Sequence, residues 1–178
     1  MPRIKQHVIV AGLDLSLTGT GISVIDARSW ECDIACVSSV RIGEKLKGSN
    51  ADADHEARVR RLVMIANEVV AFLAGEHVTH VFVENYSFAM QHSAHQLGEI
   101  GGTVKSTIWR ELGIVAKPIS NTTARKLFLG RGTGKGIKEE VARRLRELGW
   151  RRSVDEGDAF VIANYGLSEL GFPALSIG

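Results

Sequence analysis

The chain has 178 residues, 44% of them hydrophobic, a formal charge of +2 and two cysteines. That length suits one globular domain over 1–178 with a core of its own. The opening MPRIKQ precedes an apolar run too short for a signal peptide, and no stretch approaches the ~18 apolar residues of a membrane span. A soluble, cytoplasmic protein without internal repeats or low-complexity tracts is therefore expected. The small net charge hides an uneven distribution. Between Lys117 and Arg152 eleven Lys/Arg face three acids, a local +8, while the remainder carries −6. The basic third is a candidate phosphate-binding surface, or else a solvated helix face.

In chain order, residues 7–15 (HVIVAGLDL), GTGISVID and IACVSSVRI read as three strands joined by short turns, an antiparallel meander. Cys32 and Cys36 sit four apart in the last of these. That spacing is neither a redox nor a zinc pattern, so they read as reduced packing residues. The polar GEKLKGSNADAD reads as a loop. From Asp54 to Leu73 the apolar positions Val59, Leu62, Val63, Ala66, Val69, Val70 and Leu73 recur at helical spacing. VTHVFVE reads as a buried strand ending on Glu84. A second helix spans Ser93 to Leu112, with Leu97, Ile100, Val104 and Ile108 on one stripe and Gly98, Gly101 and Gly102 allowing close approach of the sheet or a second subunit.

IVAKPI then reads as a final strand, NTTARKLFLG as a helix ended by Gly130, and IKEEVARRLRELG as an amphipathic helix stopped by Gly149. Ser153 and Glu156 fit a capping box opening a last helix through Leu170. The result is a mixed α/β plan whose first parallel strand arrives only after the first helix.

Four acids stand at element ends rather than on polar faces: Asp14 in the first strand, Glu84 closing the fourth, and Asp155 and Asp158 at the start of the last helix. A lone carboxylate in an apolar sheet is costly unless paired or bound to a cation. Asp155 and Asp158, three apart, share a helix face. If the fourth strand lies parallel beside the first, Asp14 and Glu84 converge as well. Four gathered carboxylates repel unless divalent cations neutralise them. Hard oxygen ligands suit Mg²⁺ or Mn²⁺, two of which, roughly 3.5–4 Å apart, serve phosphodiester hydrolysis. Taken singly, Asp155 also reads as an acid stabilising a helix N-terminus.

GLDLSLTGTGISV, VFVENYSF, GRGTGKGIKEEV and DEGDAFVIAN, in that order from about Val8 to Asn164, resemble the successive motifs of the RuvC-type Holliday-junction resolvases, particularly phage-like members. The resemblance implies an RNase H-like fold: a mixed five-stranded sheet, three antiparallel strands then parallel ones, with helices on both faces. It further implies a metal-dependent endodeoxyribonuclease of recombination and repair, normally a homodimer, that nicks a four-way DNA junction symmetrically with two Mg²⁺ or Mn²⁺ per site and leaves a 5′ phosphate. Asp14, Glu84, Asp155 and Asp158 match the acidic tetrad, and Lys138 resembles the active-site lysine, with Lys135 as the alternative. Tyr86 and Phe88 flank the position of an aromatic that stacks on junction bases. One departure is DLS where bacterial members have Asp-Pro-Gly, which leaves the strictness of the junction substrate open.

GRGTGKG lacks the Walker spacing and follows a helix, which argues against a nucleotide cofactor. His92 and His95 have no third ligand in sight. Arg125, Arg131, Arg143, Arg144, Arg151 and Arg152, with Lys135, are candidate DNA-backbone contacts that position without reading sequence. Other readings are an RNase H-like nuclease acting on RNA–DNA hybrid or other branched substrates, a non-catalytic junction binder, or one lobe of a sugar-kinase-like ATPase. The last needs two lobes, which 178 residues do not provide.

Overall fold

The computed structural model describes residues 7–31, 33–43, 55–85 and 94–178. Strands β1 (Ile9–Asp14), β2 (Thr20–Asp26) and β3 (Ser38–Ile42) form an antiparallel meander. Strand β4 (His80–Glu84) lies parallel to β1, and the short β5 (Lys117–Ile119) parallel to β4, giving the order β3-β2-β1-β4-β5. Pro118 cannot donate a ladder hydrogen bond and sits where it is tolerated, in a strand at the sheet edge.

Helices cover both faces, so central β1 is apolar without alternation. Ile9, Ala11 and Leu13 pack into one core with Leu62, Ile65, Ala66, Val69 and Leu73 of α1 (His55–Gly75) and Ile100, Val104 and Ile108 of α2 (Ala94–Leu112). Val10, on the opposite face, joins a second core built from α3 (Asn121–Leu129), α4 (Ile137–Glu147) and α5 (Val154–Glu169). Trp30, Phe128 and Trp150 surround Phe160 there at ring-centroid distances of 6.0, 6.1 and 5.5 Å. Among the described residues no helix is long and apolar enough to cross a membrane.

The element order and the mixed sheet agree with expectation; several details do not. The third strand begins at Ser38, because the Asp33 carboxylate accepts a hydrogen bond from the Ala35 amide and turns Ile34–Cys36 into a 3-10 helix. Cys36 is consequently exposed rather than packed, and Cys32 lies outside the described residues. In α1 the buried stripe includes Ile65, whereas Val59 and Val63 are exposed; Val63 stands about 100° around the helix from Leu62. In α2, Gly98 and Gly102 face open space instead of the sheet.

Close approach is needed elsewhere. A Cβ at Gly12 would lie 2.1 Å from the Ala159 carbonyl oxygen and 2.4 Å from the Ala163 amide nitrogen of α5. Both are backbone atoms that no rotamer change can move. Gly12→Ala should therefore cost about 1–3 kcal/mol or more. Urea unfolding is the measurement; an unchanged midpoint would show that α5 does not sit this close to β1.

Candidate active site

Strand alternation decides which side chains can meet. In β1, Gly12 faces α5, so Asp14 two residues on projects to the same side. In β4, Phe82 packs in the α5-side core, so Glu84 follows it there. The register pairs Leu13 with Val83 and sets Asp14 beside Glu84 at the same end of two parallel strands. Across the antiparallel pairs Asp14 is opposite Gly21, and Gly21 is opposite Arg41.

Gly21 is the gap through which α5 enters this row. A Cβ there would stand 2.1 Å from the Asp155 carbonyl oxygen. One residue pair further in, the Ser23 hydroxyl donates to the Glu156 carbonyl at 2.8 Å. The expected capping box is present: Ser153 Oγ accepts from the Glu156 amide, and the Glu156 carboxylate accepts from the Ser153 amide at 3.0 Å. Glu156 also accepts from Ser39 Oγ at 2.6 Å and Ser153 Oγ at 2.7 Å. Burial pushes its carboxyl up, but the hydrogen bonds from Ser153 and Ser39 and the charge of Arg152 outweigh it and hold the group below its ordinary value. The first turn of α5 is thus fixed to β2 and β3, and Asp155 and Asp158 with it.

The turn after β1 is fixed by its own hydroxyls. Ser16 Oγ accepts from the Gly19 amide at 2.9 Å, and Thr20 Oγ1 donates to the Ser16 carbonyl at 2.8 Å and accepts from its amide at 3.2 Å. Ser16 and Thr20 of the GLDLSLTGTG stretch therefore shape the backbone beside Asp14.

The four acids feel one another. Burial, then a hydrogen bond and charge from Glu84, then the charges of Asp158 and Asp155, hold the Asp14 carboxyl well above its ordinary range. A hydrogen bond between two carboxyl groups requires a proton on one of them. Asp158 is also pushed up, first by burial, with Arg125 and Lys138 opposing and Glu84 and Asp155 reinforcing. Two cations engage the α5 pair. Arg41 Nε donates to Asp155 Oδ2 at 2.7 Å, its Nη2 to the Thr18 carbonyl at 2.8 Å and its Nη1 to the Gly43 carbonyl at 3.2 Å. Arg125 Nη2 lies 3.7 Å from Asp158 Oδ1. Among the described residues, no three His, Cys, Asp or Glu side chains stand in an arrangement that would hold a metal ion; Asp155 and Asp158 are oriented by their arginines.

The other expected site residues divide. Lys138 acts on Asp158, whereas Lys135 is an exposed residue of the turn before α4. Arg125, expected on the DNA backbone, is instead buried against Asp158, with Nη2 lacking a hydrogen-bond partner. Arg131 pairs with Glu140, and Arg143 and Arg144 both pair with Glu147. Arg152 donates to the Val37 carbonyl and Ser39 and covers the Trp150 ring at 5.1 Å, a structural position. His95 pairs with Arg58 and Glu99, while Tyr86, Phe88 and His92 lie outside the described residues. Arg41 is the residue that sequence reasoning missed. Its signal was the meander register, which puts it two strands from Asp14, and register cannot be counted before the turn lengths are known.

No protein-family model matches the chain, nor does any curated protein. Solved structures do. Thermus thermophilus RuvC in complex with Holliday junction substrate is 21% identical at a TM-score of 0.66, covering 93% of this chain and 97% of its own. A second T. thermophilus RuvC structure is 22% identical at 0.65, covering 93% and 98%. The Fowlpox virus resolvase, in complex with substrate Holliday junction DNA, is 12% identical at 0.50, covering 92% and 99%. The fold is that of RuvC. The RNase H-like architecture implied by the motifs is therefore the observed one.

The repulsion at Asp14 has a measurable consequence. A carboxyl raised in the folded state contributes its stability below the ordinary value of 3.8 and loses it as pH rises through the folded value. At neutral pH with chelator, Asp14→Asn should melt several degrees above the unsubstituted protein. The gap should close as pH falls and Asp14 protonates. Thermal melts across pH check this; a lower melting point for the variant at pH 7 would contradict it.

Proposed function

We propose that the chain is a metal-dependent endonuclease, acting as one RNase H-like nuclease domain, that cuts branched DNA, with the four-way junction as its substrate. The observation that carries the reading is the meeting of Asp14, Glu84, Asp155 and Asp158 from three elements far apart in sequence, each adding to the cost of ionising Asp14. The fold likeness to RuvC, whose structure holds Holliday junction substrate, supports the choice of DNA.

The donor set fits a hard divalent ion, Mg²⁺ or Mn²⁺: it is all carboxylate, and its mutual repulsion is what such an ion relieves. Asp14 and Glu84 would hold it with Asp158 and Asp155. Two such ions supply a nucleophilic water and stabilise the leaving oxygen of a phosphodiester. Arg41 and Arg125 already neutralise part of the charge on Asp155 and Asp158, so they compete with the ions for the same oxygens while keeping the carboxylates in place. Lys138, exposed beside Asp158, is a point charge available to the phosphate undergoing attack. Tyr86 and Phe88 follow Glu84 by two and four residues and are the candidates for stacking on junction bases. Arg131, Arg143 and Arg144, each already paired with an acid, would meet DNA only at the rim.

Cleavage of a panel of duplex, fork, three-way, four-way and RNA–DNA hybrid substrates with Mg²⁺ or Mn²⁺ tests the reading. Four-way DNA should be cut preferentially. Asp14→Asn should bring cutting to background while junction binding persists in a gel shift; undiminished cutting by the variant removes Asp14 from the chemistry, and preference for the hybrid makes this an RNase H.

Symmetric nicking needs two sites, hence a homodimer. The face of α2 bearing Gly98, Gly102 and Trp109 supports it: both glycines meet nothing within 4 Å, and Trp109 is 59% exposed. Trp109→Glu should convert a dimer to a monomer by light scattering. A dimer that survives the substitution would place the contact elsewhere.

A further inference from the structure

Between α4 and α5 lies a cavity of about 270 Å³. Val141, Leu145 and Trp150, all buried, form its closed floor; half-buried Ala142 and exposed Val154 are the apolar side chains open to it, and Asp158 borders it. Lys138, Arg146 and Arg151 line it from exposed positions. Arg146 and Arg151 have no acidic partner among the described residues, in contrast to Arg131, Arg143 and Arg144, whose charges are met by Glu140 and Glu147. Of the cations of the basic third without an ion pair among the described residues, Lys138, Arg146, Arg151 and Arg152 line this cavity, while Lys126 and Lys135 stand elsewhere.

A ligand that fits must be anionic at the rim and apolar within. A bare phosphate would leave the apolar walls unused, and a duplex backbone lies across a surface without entering a cavity. A nucleotide whose base has left the stack satisfies both requirements, its base against Ala142 and Val154 and its flanking phosphates at Arg146, Arg151 and Lys138. At this volume the cavity is near the small end for ligand sites, consistent with one nucleotide and no more. Because Asp158 forms part of the border, the occupant sits next to the four acids.

We infer that this cavity is a subsite for a single unpaired nucleotide of branched DNA, adjoining the phosphodiester to be cut. The inference rests on the nuclease reading above. It gives that reading a structural basis for preferring branches, since a crossover supplies unstacked nucleotides and a continuous duplex does not.

The test is junction binding in chelator, followed as salt is varied. Arg146→Gln with Arg151→Gln, both on the surface, should reduce the slope of log K against log salt by about 1.4–1.8, as expected for two lost phosphate contacts. Ala142→Phe narrows the cavity from the half-buried wall of α4. It should weaken binding to an intact four-way junction and have no effect on a junction carrying an abasic site at the crossover, a coupling that an independent surface effect would not produce. Melting temperature and circular dichroism establish that each variant is folded. An unchanged slope, or equal losses on intact and abasic junctions, overturns the subsite while leaving the nuclease reading intact. Failure of the unsubstituted protein to prefer junction over duplex overturns both.

Discussion

Everything that could be chemical in this chain depends on how closely α5 lies on the sheet. Helix-on-sheet packing ordinarily leaves room for side chains between the layers. Here Gly12 and Gly21 let α5 backbone come within side-chain reach of β1 and β2 backbone, and Gly166 makes the same concession to the Phe82 ring. The Ser23 hydroxyl then bonds directly to an α5 carbonyl. A Cβ at either strand glycine would lift the helix, and lifting it would carry Asp155 and Asp158 away from Asp14 and Glu84. The packing and the site are one constraint.

That constraint also explains why neighbouring acids behave oppositely. Glu156 and Asp158 are two residues apart in the same first turn and a half. Glu156 turns to β3 and the N-cap, where hydroxyl and amide donors stabilise its charge and hold its carboxyl below the ordinary value. Asp158 turns to the other acids and is held up, despite Arg125 and Lys138. The donors decide the outcome, since burial acts in the same direction on both. Glu156 is consequently an anchor, and its neighbours are left with charge that the protein's own groups only partly compensate.

Much of this was legible in the sequence because it is local. Gly130, Gly149 and the Ser153/Glu156 box mark helix ends by backbone geometry that three or four residues specify, and all three stand where expected. Asp14 and Glu84 were legible for a different reason: an acid directly after VFV or inside an apolar strand contradicts its surroundings, whereas Asp155 and Asp158 were legible by their spacing on one helix face. What could not be read depends on residues brought together from a distance. The pairing of Arg41 with Asp155 needs the register of two hairpins. The burial of Arg125 needs α3 to pack on α5. A helical stripe misled at Val59 and Val63 because periodicity gives the direction of the apolar arc only to within a residue or so. The glycines of α2 left two readings open, since a small residue permits close approach and cannot say what approaches, and Gly98 and Gly102 face away from the sheet.

The same distinction between local and distant applies to charge. Counted along the chain, the segment from Lys117 to Arg152 is a uniform block of positive charge. Folded, its arginines and lysines go different ways. Arg125 goes inward to an acid of the cluster, Arg131, Arg143 and Arg144 are met by glutamates within one or two helical turns or across a short loop, and Arg146 and Arg151 are left on a cavity with Lys138. A field strong enough to attract a polyanion comes from charges that lack compensation, so the count of arginines overstates the surface and the pairing locates it. The negative charge of the four acids, only partly compensated by Arg41 and Arg125, and the positive charge of Lys138, Arg146 and Arg151 meet at Asp158. A polyanion drawn to those cations would be brought up against the acids, a contact that repels unless a further cation lies between them.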